Sequence, residues 1–380
     1  MTRPSSTARP IIGVIVNTVG GYSRGVIRGI TSFAFARAWM CRVQGVNDQE
    51  LTTHLDTFNG LIVQAATPQQ VKSLEATTTP VVNVSSALPT TRFPSVVSDD
   101  VAVGRLGADY FLRLGFKRFV FFNPDARSFA KLRHDGFAAR LAETSIRCLT
   151  ATSREQLIET LGTIETPVAV MGSNDSAALG ALDACRARNL KVPDHVAVLG
   201  VDNDDLVQSL AYPPLSTVNT ARERIGFEAA AMLERLMFPE SDPSATPDVQ
   251  KLLLIPPTGV ITRQSTDLLA IGDDDVADAV RYIHAHAGRP ITVEDVAKEL
   301  TLSRRQIERR FRAALGRSIL DEIQRCRVDR ARQLLVETEL TLPQIATASG
   351  FASASYFSVV FSKSQEMTPG EYRSRFAKKS

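Results

Sequence analysis

The stretch from residue 168 to residue 188 reads VAVMGSNDSAALGALDACRAR, and it decides the fold of the first part of the chain. It begins with successive apolar residues, passes through a short polar turn and continues with apolar residues at helical spacing. Strands buried on both faces of a parallel sheet are apolar at successive positions, and a helix then leads to the next strand. The stretch therefore predicts a strand at 168–171 followed by a helix at 176–188.

The same alternation recurs from residue 10 to residue 263, with further helices predicted at 23–36 and 103–114. Repeated strand–helix units indicate an open, doubly wound α/β architecture. A span of about 250 residues is large for one such sheet, so we expect two similar lobes. The other predicted strands are 11–16, 60–63, 81–84, 119–122, 196–201 and 252–255.

Polar residues follow four of these strands, in runs that start at Asn17, Asn123, Gly172 and Asp202. Ligands of doubly wound sheets bind beyond the carboxyl ends of the strands. Asp and Asn oxygens accept hydrogen bonds from hydroxyl groups, and arginine donates from a fixed fork. These runs therefore favour a hydroxyl-rich ligand, with an aromatic ring such as Tyr22 against an apolar sugar face. The alternative is that each Asn or Asp only caps the next helix.

Composition and motifs argue against other classes of protein. Of the 380 residues, 44% are hydrophobic and 22% are charged, which is typical of two or three globular domains. No apolar run approaches the roughly 18 residues of a membrane helix, and the start is unlike a signal peptide. We therefore expect no membrane partner and a cytoplasmic location.

Catalytic and metal-binding motifs are missing from the sequence. Gly20 and Gly21 in the first turn come too late and too close together for a GxGxxG loop, and no P-loop, GxSxG or HExxH motif occurs. The four cysteines are scattered, which predicts neither disulfides nor a zinc site. Asp202, Asp204 and Asp205 are close enough in sequence to be considered as metal ligands. Adjacent acids on a loop more often face solvent, however, and no histidine lies nearby to complete a site. We therefore predict no enzyme, no catalytic residue, no metal and no cofactor.

Two helix-turn-helix units are predicted after residue 273, about 50 residues apart. Their first helices begin at Thr292 and Thr341, with apolar residues at i, i+3 and i+4. Ser303 with Gln306 has the spacing of a capping box, as has Thr341 with Gln344. Phe311 and Phe361 occupy equivalent core positions in the second helices. A helix predicted at 318–337 joins the units and is about 30 Å long, close to the roughly 34 Å of one DNA turn.

Positive charge is concentrated in the second part of the chain. Residues 303–333 hold 10 basic and 4 acidic side chains, whereas residues 1–269 hold 26 of each. Arg305 and Arg309 share one helix face, and arginine can make two bonds to guanine in the major groove. Arg312 and Arg317 are expected to touch phosphate or only solvent. The alternative for the whole stripe is a solvated helix face.

The first part resembles the LacI/GalR-type sensors, which use the type I periplasmic-binding-protein fold. In that family the arginine before the Gly-Phe pair, the Asn of Asn-Asp and the Asp closing the Gly-x-Asp strand face the effector. The resemblance thus implies that Arg133, Asn174 and Asp202 bind a ligand. It is carried by Arg133-His-Asp-Gly136-Phe137, Ser173-Asn174-Asp175-Ser-Ala-Ala-Leu179-Gly180, Val198-Leu-Gly200-Val201-Asp202 and Pro213-Pro214-Leu215-Ser216-Thr217-Val218.

The second part resembles the AraC/XylS DNA-binding domain. The resemblance implies base-facing positions on both second helices, with Arg304 beside them; these are Arg305, Glu308, Arg309, Ser355, Tyr356 and Val359. Val359 stands where a basic residue is common. The resemblance is carried by Val296-Ala297, Ser303-x-x-x-Ile307-x-x-x-Phe311, Gly316, Arg327-x-x-x-Ala331-x-x-Leu334-Leu335, Ile345-Ala346-x-x-x-Gly350-Phe351, Tyr356-Phe357-x-x-x-Phe361 and Thr368-Pro369-x-x-Tyr372-Arg373.

A LacI-like sensor ahead of an AraC-type domain is the arrangement of the bacterial xylose-operon activators, whose first turn has a Tyr-x-Arg pattern similar to Tyr22-Ser23-Arg24. The resemblance implies a pentose effector, with Tyr22 and Arg24 at its site. We expect a sensor at 10–263, a linker at 264–272 and a DNA-binding domain at 273–376. The expected partners are operator DNA, a sugar and a second copy of the chain, and RNA polymerase is a candidate further partner. We expect the protein to be associated with the nucleoid when it is bound to DNA. The alternatives are an enzyme or an unresponsive binding lobe fused to a DNA-binding domain.

Overall fold

The first lobe is built on a six-stranded sheet. The structure is a computed structural model that describes residues 9–45, 55–89, 91–238, 251–266, 273–365 and 367–376. All strand pairs of this sheet are parallel, in the order β11-β5-β4-β3-β1-β2. Its strands are β1 (Ile11–Val16), β2 (Met40–Gly45), β3 (Gly60–Val63), β4 (Val81–Asn83), β5 (Ser95–Ser98) and β11 (Leu252–Ile255).

The second lobe repeats this design in the order β12-β10-β9-β8-β6-β7, with β12 antiparallel to β10. Its strands are β6 (Phe119–Phe122), β7 (Cys148–Ala151), β8 (Val168–Gly172), β9 (Val196–Val201), β10 (Ser216–Asn219) and β12 (Gly259–Ile261). In both sheets the strand order reverses beside the first strand of the lobe, and a crevice at such a reversal is where these sheets bind ligands.

Helices cover both sheets, and two helix pairs cross at glycines. A side chain on Gly29 would collide with the backbone carbonyl of Glu223, and one on Gly104 with that of Arg133, so each position requires glycine for the close approach. The first lobe holds α1 (Gly21–Ala36), α2 (Pro68–Leu74) and α8 (Arg222–Met237). The second holds α3 (Asp100–Arg113), α4 (Ser128–Ala142), α5 (Arg154–Thr163), α6 (Asp175–Ala187) and α7 (Asp205–Leu210).

The rest of the chain is helical and contains two apolar cores, the first of which is continuous with the core of the second lobe. Phe311 and Phe361 are fully buried, one in each core. Both capping boxes form as predicted, at Ser303 and at Thr341. The long α12 contributes to both cores and so holds the two units together. The helices are α9 (Asp274–His286), α10 (Val293–Glu299), α11 (Arg304–Leu315), α12 (Ile319–Glu337), α13 (Leu342–Ala348), α14 (Ala354–Gln365) and α15 (Pro369–Phe376).

The predicted fold class is confirmed: two parallel-sheet α/β lobes precede an all-α region. Ser265 and Thr266, which fall in the predicted linker, are buried, and the Ser265 hydroxyl donates to the Val198 carbonyl at 2.6 Å. Residues 267–272 of that linker lie outside the described residues, and the domain limits stay a prediction. Within the described ranges, none of the helices has the length and apolar character needed to cross a membrane.

Candidate functional site

A cavity of about 440 Å³ lies between the two lobes, beyond the carboxyl ends of the strands. Residues after β1, β3 and β4 line it from the first lobe, and residues after β6, β8 and β9 line it from the second. Its polar and aromatic lining side chains are Asn17, Tyr22, Ser23, Gln64, Ser85, Ser86, Arg127, Phe129, Arg133, Asn174, Asp175, Ser176, Asp202 and Asp204. We refer to it as the inter-lobe cleft.

Arg133 is buried at the inner end of this cleft. Its Nε donates to Asp100 at 2.7 Å, one Nη donates to the Ser173 carbonyl at 2.7 Å, and the other lies 3.5 Å from Asp202. The tight crossing of α3 and α4 at Gly104 brings Arg133 beside Asp100. Burial raises the pKa of the Asp100 carboxyl, and Arg133 opposes that rise. The result is a guanidinium donor held in a fixed position.

Asn174 caps a helix and also lines the cleft. Its side-chain oxygen accepts from the backbone N–H of Ala177 at 2.8 Å at the start of α6, so Asn174 caps this helix in addition to lining the cleft. Its amide nitrogen has no hydrogen-bond partner among the residues that the structure describes. That nitrogen is available as a donor to a ligand.

Asp202 lies in a strained turn directly after β9. Its φ of 103° falls in the left-handed region, which non-glycine residues rarely adopt. Its carboxylate accepts from the Thr220 hydroxyl at 3.2 Å and lies beside Arg133. Strain of this kind costs about 1–3 kcal/mol and is concentrated at binding sites. The strained backbone places an acceptor in the wall of the cleft.

Asp175 is a buried carboxyl of the cleft that the sequence analysis did not select. It accepts from the Thr217 hydroxyl and from the backbone N–H of Asp204, both at 2.6 Å. Burial raises the pKa of Asp175 to about 7, although the Thr217 hydrogen bond acts in the opposite direction. The charge of Asp175 therefore changes near neutral pH.

Tyr22 and Arg24 occupy different surroundings, although both were predicted at the ligand. Tyr22 lines the cleft, and its hydroxyl donates to the Val84 carbonyl at 2.9 Å. Burial, followed by the charges of nearby carboxylates, raises the pKa of this phenol. Arg24 is not among the lining residues; its guanidinium bonds to Asp204 of the second lobe and to the Val19 carbonyl. The structure thus places Arg24 at the contact between the lobes.

Phe129 provides the apolar surface of the cleft. The guanidinium carbons of Arg127 and Arg133 lie 5.1 and 4.9 Å from the centre of its ring. Gln64 and Ser86 also line the cleft but were missed, although each follows a predicted strand, and this signal could have found them. Hydrogen-bonding groups around one aromatic face suit a small, hydroxyl-rich ligand.

The candidate nucleic-acid interface begins with α11. Arg305 and Arg309 are exposed on this helix and make no hydrogen bond or ion pair with any described residue. Arg304, by contrast, bonds to Glu294 and to Glu308. Arg304 and Glu308 were both predicted to contact DNA, and in the structure they satisfy each other. The guanidinium groups of Arg305 and Arg309 therefore remain available on the exposed face of α11, as does that of Arg312, which is also exposed and has no side-chain hydrogen-bond or ion-pair partner among the described residues.

The corresponding face of α14 is chemically different. Ser355 is exposed, and Val359 keeps 67% of its surface in solvent. The Tyr356 hydroxyl accepts from Gln324 of α12 at 2.7 Å, so part of its capacity for hydrogen bonding is used inside the domain. The expectation that Arg317 touches phosphate or solvent is wrong, because Arg317 donates to the buried Glu322 and to the Arg113 carbonyl.

Two protein families match the chain. Residues 108–266 match the periplasmic binding protein-like domain, and residues 296–375 match the helix-turn-helix domain. The chain therefore carries a periplasmic binding protein-like domain ahead of a helix-turn-helix domain.

Named relatives have the same arrangement over nearly their whole length. The chain is 28% identical to the xylose operon regulatory protein of Haemophilus influenzae, covering 95% of this chain and 97% of that protein. Identity is 27% to the protein of the same name from Escherichia coli K12, with 97% of each chain covered. These relatives are named as regulators and not as enzymes. Together with the helix-turn-helix match, this identifies the chain as a DNA-binding transcription regulator and supports a non-enzymatic function.

Solved structures agree with the sequence comparisons. The structure described as the xylose-binding transcription activator xylR is 26% identical and has a TM-score of 0.61, covering 98% of this chain and all of that one. A dimeric Lac repressor superimposes on 67% of this chain with a TM-score of 0.56 and 22% identity, a likeness in fold. The resemblance first seen in the sequence motifs is confirmed.

Proposed function

We propose that this chain regulates transcription in response to a small sugar, most specifically a pentose such as xylose, bound in the inter-lobe cleft. The observation that carries the proposal is the meeting of Arg133, Asn174 and Asp202 at one cavity between two lobes. They offer a guanidinium donor, an amide donor and a carboxylate acceptor. Sugar hydroxyls both donate and accept, so a mixed set of this kind is what they require.

The size and surface of the cleft support a monosaccharide. About 440 Å³ falls within the range of small-molecule sites. Phe129 offers an aromatic face that an apolar sugar face can cover, while the polar groups surround it. The names of the full-length relatives, which refer to xylose, favour a pentose over other sugars.

We propose further that the chain acts as an activator and binds operator DNA as a homodimer. One structural relative is described as a transcription activator, and Lac repressors of the same sensor fold are described as dimers. RNA polymerase is a candidate partner of such an activator. Arg305 and Arg309 are the residues proposed to read bases, with Arg304, Glu308, Ser355, Tyr356 and Val359 beside them.

Isothermal titration of the full chain with D-xylose, L-arabinose, D-ribose and D-glucose tests the ligand proposal. The informative variant is Asn174→Asp, which keeps an acceptor for the cap of α6 but removes the amide donor. We expect a pentose to bind most tightly and this variant to lose about tenfold or more in affinity. Asn189→Asp, at an exposed position two residues beyond the end of α6, is the matched control.

The outcomes also separate the alternatives. Absence of heat with all four sugars would indicate an unresponsive lobe. Conversion of a bound sugar into a product, followed by chromatography, would indicate an enzyme. Equal affinity of wild type and Asn174→Asp would show that the sugar does not contact the Asn174 amide at the start of α6.

A further inference from the structure

A second cavity, of about 670 Å³, lies where the second lobe meets the DNA-binding helices. It is bounded by α3 and the segment around β12 on the sensor side, and by α9 and α12 on the other. Among the described residues, one carboxylate, Asp329, lines it together with five arginines: Arg113, Arg263, Arg281, Arg325 and Arg330. We refer to it as the interdomain cavity, and its lining is strongly unbalanced in charge.

Arg263 and Arg281 are engaged away from the cavity, whereas Arg330 donates its Nε only to the neutral carbonyl of Ala348 at 2.7 Å. Both Nη groups of Arg263 are turned away, to the Leu215 carbonyl and to Asn203, each at 2.8 Å. Arg281 pairs with Asp278 at 2.7 Å in an exposed ion pair. The excess positive charge therefore resides mainly on Arg113, Arg325 and Arg330.

Arg113 and Arg325 are poorly compensated. The nearest carboxylate to Arg113 is Asp329 at 4.0 Å, and Asp329 also lies 3.7 Å from Arg332. Burial lowers the pKa of Arg113, and repulsion from Arg325 adds to this effect. The Nε of Arg325 is buried and has no hydrogen-bond partner within the described structure. Arg325 thus has one carboxylate partner, Glu322, and an Nε that still lacks an acceptor.

The buried Glu322 cannot supply the missing charge. It accepts from Arg317 at 2.6 Å and from Arg325, and it lies 3.1 Å from His284 Nε2. One carboxylate is thus shared among three basic groups. His284, Glu322 and Cys326 could also be read as metal ligands, since their ligand atoms lie within 4.8 Å of one another. The guanidinium groups of Arg317 and Arg325 beside these residues repel a divalent cation, so the interdomain cavity favours an anion over a metal ion.

We propose that the interdomain cavity binds a small oxyanion, a phosphate monoester or a carboxylate, through Arg113 and Arg325, with Arg330 at its edge. Guanidinium groups bind both carboxylates and phosphates through paired, charge-assisted hydrogen bonds. Arg113 belongs to the sensor and Arg325 to the DNA-binding helices. The bound anion therefore joins the two parts of the chain at a site separate from the inter-lobe cleft.

Thermal unfolding of the full chain tests this proposal, with inorganic phosphate, glucose 6-phosphate and citrate each titrated against chloride of equal ionic strength. Glucose is the neutral control for binding in the inter-lobe cleft. We expect the midpoint to rise with at least one of the three anions. Response to phosphate and glucose 6-phosphate identifies a phosphate ligand, and response to citrate alone identifies a carboxylate.

Variants locate the effect. Arg325→Gln and Arg113→Gln should each raise the half-saturating anion concentration about tenfold or more, whereas Arg154→Gln, an exposed arginine of α5, should not. In chloride alone, Arg113→Gln should not lower the midpoint, because it removes a repulsion. Equal midpoints in all anions and chloride would overturn the proposal. So would an anion response that persists unchanged in both variants.

Discussion

The backbone N–H of Gly21 donates to the carboxylate of Asp204 at 2.9 Å, and the two residues belong to different lobes. Arg24 bonds to the same carboxylate from the first turn of α1. Asp204, which belongs to the second lobe, therefore accepts hydrogen bonds from two residues of the first lobe. The structure is that of a cleft whose lobes are in contact at its opening.

Asp204→Asn should weaken this contact, because Asn keeps an acceptor for the cap of α7 but loses the charge that Arg24 neutralises. We expect a larger radius of gyration in solution scattering and up to about tenfold lower sugar affinity. Asp205→Asn is the matched control, since Asp205 pairs with Arg28 in an exposed contact that is worth little. Similar behaviour of both variants would contradict the assigned contact.

Arg133→Ala should destabilise the fold as well as the site. It leaves the Asp100 carboxylate, which is fully buried, without its ion partner, and breaking a buried pair costs about 3–5 kcal/mol. Asp100→Asn in the same chain should recover part of that loss in urea unfolding. Arg140→Ala removes a more exposed pair with Asp109 between the same helices and should cost about 0–1 kcal/mol. Equal losses for the two arginines would show that the burial argument is wrong.

Asp175 should make stability depend on pH. Because burial raises its pKa to about 7, the folded chain binds this proton more tightly than the unfolded chain, whose Asp titrates near 3.8. Stability from this group is therefore fully present below about pH 4 and is lost as pH rises to about 7. Asp175→Asn should reduce the slope of the unfolding midpoint against pH between about pH 4 and pH 7, relative to wild type. Asp183→Asn, on the exposed side of α6, should leave the slope unchanged, and an unchanged slope in Asp175→Asn would refute the prediction.

The two DNA-facing helices should contribute unequally. A site selected from random DNA, followed by all its single-base variants at one salt concentration, measures the preference at each position. Arg309→Ala should reduce the free-energy difference between the preferred base and the other bases by about 1–3 kcal/mol at one or two positions, as expected for a lost arginine–guanine pair. Val359→Ala should change little, because valine offers only an apolar contact. Arg304→Ala is the control among arginines, since Arg304 is occupied by two glutamates. Equal flattening by Arg309→Ala and Val359→Ala would rule out this ranking.

The elements that were predictable are those with their own periodicity. All seven apolar runs form strands. Six of them are buried almost throughout, and a strand covered on both faces must be apolar throughout. The seventh, β11, is an apolar edge strand that is largely exposed. Five of the described strands were missed: β2, β5, β7, β10 and β12. Two of them show why: β2 lies at a sheet edge and is largely exposed, and β10 consists of Ser, Thr, Val and Asn. Their pairing comes from the tertiary fold, which no local pattern reports.

The candidate site was predictable where a polar residue follows a strand. Asn174 and Asp202 were found in this way, and Arg133 came from the family resemblance. The surroundings of Arg24 were not predictable, because its partner Asp204 lies 180 residues away. Arg317 has one partner 204 residues away, Arg113, and one only five residues away, Glu322, whose burial is a property of the folded chain. Asp175 was passed over because only burial gives it an unusual pKa, and burial is a property of the folded chain.

The most direct test of the account is the affinity of the full chain for its selected DNA, measured by fluorescence anisotropy with and without saturating D-xylose. The account predicts that the sugar changes this affinity about fivefold or more in wild type, and that the change is lost in Asn174→Asp at the same sugar concentration. An affinity that is the same with and without sugar, in a chain that binds the sugar by calorimetry, would contradict it.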